Sequence, residues 1–285
     1  MKLTGRVLYL LAVSLASLSA SRLAQAKDLS FLFLGNSYTY FEGQGQPDAP
    51  VLPKTIKGIA ESIDPTIHLN YAFNTPGGWS FEKHFNDPVS VKLMQAHYDE
   101  VILQGQSIES LELTPWWEAN GNPGVKSFGV YLPKVLDLVF KESSSVTLYV
   151  NWGYNPKNTL LQENQPGLYF PAGTPKAGER WCGKDKFDYQ KMIDESYALH
   201  SQGYPVKFAW VGDAWLSLQT AGWVTQDELY LEGDWSHPSV LGGFVTALVF
   251  VRDVLHQDIL KNQYFPEGID PARAQGLERF LSRNF

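Results

Sequence analysis

The chain has 285 residues, 44% of them hydrophobic and 19% charged, enough apolar material to build a sizeable core without outside support. Acidic residues outnumber basic ones, 30 to 23, for a formal net charge of −7, which argues against nucleic acid or an anionic membrane surface as a partner. A lone cysteine, Cys182, excludes an internal disulfide.

Residues 1–26 open the chain with Lys2 and Arg6, continue with an apolar run over 7–20, and end in Ala24-Gln25-Ala26, a small-x-small cleavage pattern. This is the layout of a secretory signal peptide whose apolar core is short for a membrane span. Cleavage after Ala26 would remove three basic residues and leave 20 basic against 30 acidic ones. No cysteine lies near that site to carry a lipid anchor, and no later segment offers ~18 uninterrupted apolar residues. The expectation is an exported protein, periplasmic or extracellular, without stable membrane insertion. Residues 27–285 are expected to form one domain, and nothing in the pattern fixes an oligomeric state.

Along that domain, 29–34 reads as a short buried strand and 51–63 as an amphipathic helix. A strand follows at 66–73, a helix at 88–98, and a third strand at 100–104 (EVILQ). Residues 125–142 fit a longer helix despite Gly129 and Pro133, and 146–151 (VTLYVN) a fourth strand. A helix at 187–202, a fifth strand at 206–211 (VKFAWV) and helices at 238–256 and 271–282 complete the series. Strands alternating with helices of ~10–15 residues predict βαβ units and a mainly parallel sheet covered on both faces, a three-layer α/β/α domain. Residues 153–185, rich in Gly, Pro and Asn, are too long for an ordinary connection and read as a lid or an insertion.

In such a sheet, ligands sit at the carboxyl ends of the strands. Ser37, in FLFLGNSYTYF, directly follows the first strand. Gly77 and Gly78, in NTPGGWS, follow the second, and Gln104 and Gln106, in VILQGQSIES, follow the third. Asp234 and His237, in GDWSHPSVLGG, precede the last long helix. A serine hydroxyl needs a histidine to take its proton, and an acid to fix the imidazole tautomer. The tetrahedral intermediate needs donors aimed at its oxyanion. Ser37, His237 and Asp234 can supply the first three roles. The Ser37 N–H, a Gly77 or Gly78 N–H and a Gln104 or Gln106 amide can supply the donors.

These blocks resemble the SGNH (GDSL-type) hydrolase superfamily. Gly35-Asn36-Ser37 is similar to its first block, with asparagine for the usual aspartate, and Asp234-Trp235-Ser236-His237-Pro238 to its last. The usual Gly-x-Asn-Asp block is absent, and LQGQS stands in its place, resembling the Gln-Gly-Glu block of sialate and acetylxylan esterase relatives. That pattern points to Gln104 as the oxyanion donor, whereas counting from the asparagine block points to Gln106. The resemblance implies a five-stranded sheet in flavodoxin-like order, ester hydrolysis through an acyl-enzyme, and no metal or organic cofactor. A small acyl group, acetyl on a carbohydrate, is the substrate that the third block suggests. The α/β-hydrolase elbow Gly-x-Ser-x-Gly is not matched, because Thr39 occupies its last position.

The six histidines show no HExxH pattern and no cysteine pairs accompany them. His84 is a candidate for the cleft wall. Trp116, Trp117, Trp152, Trp181 and Trp235 fall in loops or at strand ends, where aromatic faces stack on sugars; Trp235 and Trp152 are the candidates nearest the site. Two alternatives remain at this stage: a carbohydrate-binding protein on the same fold that has lost turnover, and a lipase or lysophospholipase.

Overall fold

The computed structural model describes residues 26–106, 109–110, 124–155, 157–158 and 184–284. Residues 1–25 of the expected 1–26 signal segment, Cys182, Trp116, Trp117, Trp181 and most of the expected 153–185 lid lie outside the described residues.

Five strands form one sheet: β1 (Lys27–Leu34), β2 (Ile67–Asn74), β3 (Glu100–Leu103), β4 (Val146–Val150) and β5 (Lys207–Trp210). Their order is β2-β1-β3-β4-β5 and every adjacent pair is parallel. The strands β3 and β4 are buried along their whole length, and β1 over its last four residues, because both faces are covered. Phe31 and Phe33 of β1 enter one core and Leu32 and Leu34 the other, the period of two that a pleated strand imposes.

The first core packs the sheet against α2 (Val51–Ile63), α7 (Val211–Thr220), α9 (Val240–Asp253) and α10 (Pro271–Asn284). On the opposite face lie α3 (Phe81–Asn86), α4 (Pro88–Met94), α5 (Gly124–Val139) and α6 (Lys184–His200). Two one-turn helices, α1 (Ser37–Tyr40) and α8 (Gln226–Leu229), sit in connections. This is the expected three-layer architecture with its flavodoxin-like order.

Two details differ from the sequence expectation. The helix expected at 88–98 stops at Met94 and is preceded by a separate α3. Asp87 divides the two, closing α3 and capping α4 with its side chain on the Ser90 N–H, with Pro88 following at a position where a missing N–H costs nothing. The fifth strand ends at Trp210 and runs straight into α7, which was not expected. Pro133 is accommodated inside α5.

From β1 the chain moves outward to β2, then crosses back to β3 on the other side. The carboxyl ends of β1 and β3 therefore flank the crevice at which the order reverses. Both Ser37 and the Gln104 to Gln106 stretch emerge there.

Candidate active site

The turn after β1 is built to hold a hydroxyl at the sheet edge. Ser37 is the first residue of α1, only 7% exposed, and its N–H has no intrahelical acceptor at that position. Asn36 is the cap: its side-chain oxygen accepts the Tyr38 N–H at 3.1 Å. The amide nitrogen of Asn36 donates to the Trp79 carbonyl at 2.8 Å and the Gly105 carbonyl at 3.3 Å. One side chain thus ties together the segments that follow β1, β2 and β3. Gly35 must be glycine, since a Cβ there would collide with the Thr39 hydroxyl and lie 2.8 Å from Gln104 Oε1.

His237 arrives from the far end of the chain. Its Nε2 accepts the Ser37 hydroxyl at 2.8 Å, and its Nδ1–H donates to Asp234 Oδ2 at 2.8 Å. The other Asp234 oxygen accepts the Ser236 N–H at 2.7 Å, the Ser236 hydroxyl at 2.6 Å and the His237 N–H at 2.6 Å. Burial alone would raise this carboxyl, but the hydrogen bonds from His237 and Ser236 outweigh it and hold Asp234 well below the usual carboxylate range. The acid therefore stays ionised and fixes the imidazole with Nε2 free to accept a proton. The loop reaches this shape through Trp235, whose φ of 60° is left-handed, a conformation that costs a bulky residue about 1–2 kcal/mol.

Behind the imidazole stands a wall of rings. Tyr38 meets His237 edge-on at 5.2 Å and stacks on Trp152 at 4.7 Å, and Trp152 stacks on Trp215 at 4.0 Å. Trp152 is 2% exposed, with its indole N–H donating to the Ser236 carbonyl. This corrects the expectation that Trp152 binds substrate: both its faces are covered, so it supports the histidine loop instead. The Trp235 ring is half-buried against the core and carries the Lys157 ammonium at 4.6 Å.

The glutamine ambiguity resolves in part. Gln104 is fully buried, its Oε1 accepting the Asn36 N–H and the Thr39 hydroxyl, each at 3.0 Å, while its amide nitrogen donates to the Gly105 carbonyl. Through these bonds Gln104 clamps the serine turn from inside the protein. Gln106 is half-buried at the crevice. Gly77 and Gly78 lie exposed in the turn after β2, and a Cβ at Gly77 would sit 3.2 Å from the Tyr40 hydroxyl. Gly78 takes a φ of +67°, which the absence of a Cβ allows without strain.

His84 does not line the cleft. Buried completely, it bonds the Gly35 carbonyl at 2.9 Å through Nε2 and Ser90 Oγ at 2.9 Å through Nδ1. Asn74 donates to the same Ser90 oxygen at 2.8 Å, so the Ser90 hydroxyl hydrogen is free for Nδ1 and the Nε2–H for Gly35. Burial pushes the His84 imidazole down to about 4, consistent with a neutral ring that props up the turn before Ser37.

Two acidic residues escaped the sequence reading. Glu42 Oε2 lies 3.4 Å from His237 Nε2. Glu109, fully buried, accepts the Phe81 N–H at 3.0 Å and the Gln106 N–H at 2.8 Å, joining the start of α3 to the end of β3. Burial pushes the Glu109 carboxyl up to about 8. Its place five residues beyond Gln104, in the same loop, was the only local signal. Among the described residues, no group of three or more His, Cys, Asp or Glu side chains is arranged to hold a metal ion.

No protein-family model matches the chain, and no curated protein matches it in sequence. Solved structures do resemble it. A DUF4886 family protein from Bacteroides uniformis superimposes with a TM-score of 0.61 at 17% identity, over 89% of this chain and 93% of that one. Axe2, an acetylxylan esterase from Geobacillus stearothermophilus, gives 0.53 at 12% identity, over 79% and 94%. LAE5, an α/β-hydrolase enzyme from the metagenome of Lake Arreo, gives 0.53 at 12% identity, also over 79% and 94%. At these identities the likeness establishes a fold that hydrolases use.

Proposed function

We propose that the chain is an exported SGNH-type serine esterase that removes a small acyl group, acetyl on a carbohydrate, through an acyl-enzyme. The observation that carries this reading is the Ser37–His237–Asp234 relay, with 2.8 Å at each link. In the proposed reaction Ser37 Oγ attacks the ester carbonyl while His237 Nε2 takes the hydroxyl proton. The imidazolium, stabilised by Asp234, returns that proton to the departing alcohol, and water then repeats the sequence to release the acid. The Ser37 N–H, a Gly77 or Gly78 N–H and the Gln106 amide are the proposed oxyanion donors.

The acetyl-carbohydrate part rests on the LQGQS block and on the fold shared with an acetylxylan esterase. In that enzyme the positions altered in catalytic mutants are a serine, an aspartate and a histidine, the last two three residues apart. Asp234 and His237 have the same spacing here. Export rests on the pattern of residues 1–26, and a secreted product beginning at Lys27 would support it.

Hydrolysis of 4-nitrophenyl acetate and of acetylated xylooligosaccharides by wild type and by Ser37→Ala tests the assignment. The variant is expected to lose at least about 10³-fold in kcat/KM. Equal rates in the two proteins would overturn it. A preference for octanoyl over acetyl esters would keep the serine and discard the substrate class.

A further inference from the structure

Five residues beyond Ser37, Glu42 brings a carboxylate to the reacting end of the imidazole. Its Oε2 stands 3.4 Å from His237 Nε2, and Ser37 Oγ stands 2.8 Å from the same nitrogen. The two contacts together place that charge within roughly 6 Å of the nucleophile, close enough for a charged ester to feel it.

Glu42 is held there by the nucleophile's own turn. Its N–H donates to the Ser37 carbonyl at 3.2 Å, and the Tyr40 hydroxyl donates to Oε2 at 3.1 Å. Phe41 between them takes a left-handed φ of 60°, with its ring sunk against Gly243, where a Cβ would come within 2.6 Å of it. Burial, then the bond to Glu42, pushes the Tyr40 phenol up to about 12, so it remains a donor to the carboxylate. Among the described residues no lysine or arginine pairs with Glu42, and its side chain is 54% exposed.

From this placement we infer that Glu42 is a specificity-determining residue that filters esters by charge. The site accepts esters whose alcohol is neutral or cationic and disfavours those with an anion beside the scissile bond, such as acetylated acidic sugars. This rests on the esterase reading. Like charges at this separation, partly screened by water, correspond to about a tenfold difference in kcat/KM.

Three phenyl acetates of matched shape test it: 3-acetoxybenzoate, its methyl ester, and 3-acetoxy-N,N,N-trimethylanilinium. The readout is the anion-to-neutral ratio of kcat/KM in wild type and Glu42→Gln, with Ser37→Ala as the blank. We expect Glu42→Gln to raise that ratio about tenfold and to lower the cation-to-neutral ratio. In wild type alone, 0.5 M salt should move both ratios toward those of the variant, which tests the filter without any substitution. Ser37-dependent turnover with both ratios unchanged to within twofold, in variant and in salt, would overturn the filter and leave the esterase standing. Absence of Ser37-dependent turnover of all three esters would remove both.

Discussion

Replacing Gln104 by leucine separates a structural clamp from an oxyanion donor. Leucine has nearly the volume of glutamine, so the packing around β3 is largely kept. The Asn36 N–H and the Thr39 hydroxyl, however, lose an acceptor at 3.0 Å each inside a fully buried site. A buried donor left without a partner costs about 1–3 kcal/mol. Two such donors give an expected destabilisation of about 4 kcal/mol, while the Gly105 carbonyl keeps the Asn36 amide as a donor. Urea denaturation followed by tryptophan fluorescence and far-UV circular dichroism measures this as a lower midpoint at unchanged slope. The opposite signature belongs to an oxyanion donor, whose loss costs about 10²–10³ in kcat with little change in stability. Stability within 1 kcal/mol of wild type, combined with such a fall in kcat, would refute the clamp.

Gln106→Ala should show that opposite signature, a kcat reduced about 10²-fold with the urea midpoint nearly unchanged. Asp234→Asn should lower kcat by about 10³-fold or more in the same acetyl-ester assay, because an amide at 2.8 Å from His237 Nδ1 can select the wrong tautomer. Glu109 has a folded-state value of about 8, raised by burial above its unfolded value, so the native state holds its proton longer. Its stabilising contribution is therefore complete below pH ~4.3 and lost as pH climbs through about 8, by at most about 5 kcal/mol, a slope that Glu109→Gln should flatten in urea titrations between pH 6.5 and 8.5. His84 has the reverse sign: with its folded value near 4, its contribution is complete above pH ~6.5 and disappears as pH falls through 4, and His84→Asn should abolish that acid-side slope.

The architecture was readable because its determinants are local. Each apolar run bounded by turn residues became a strand, and Asp234 and His237, three positions apart, could be recognised as one loop without knowing where the loop would land. What could not be read was direction. Strands covered on both faces lack the alternation that would show on which side a residue at the end emerges, and Gln104 and Gln106, two apart, would share one face of any continuation of β3; only the turn that begins after Leu103 buries the first and leaves the second half-buried. Trp152 failed for the same reason: a tryptophan at a strand end is equally at home in a sugar site and in a buried stack. Glu42 and His237 lie far apart in the chain, and no local pattern announces their contact. Helix α7 was hidden because no turn residue separates Trp210 from Val211.

The loop bearing His237 feeds directly into α9, in which every residue from Leu241 to Val251 is buried. Such an element opens only with the whole molecule, since no surface of it can be solvated piecemeal. The relay is thereby coupled to the most cooperative part of the fold, and heat or denaturant should extinguish turnover and helicity in one coincident transition, leaving no folded species that has merely lost its base.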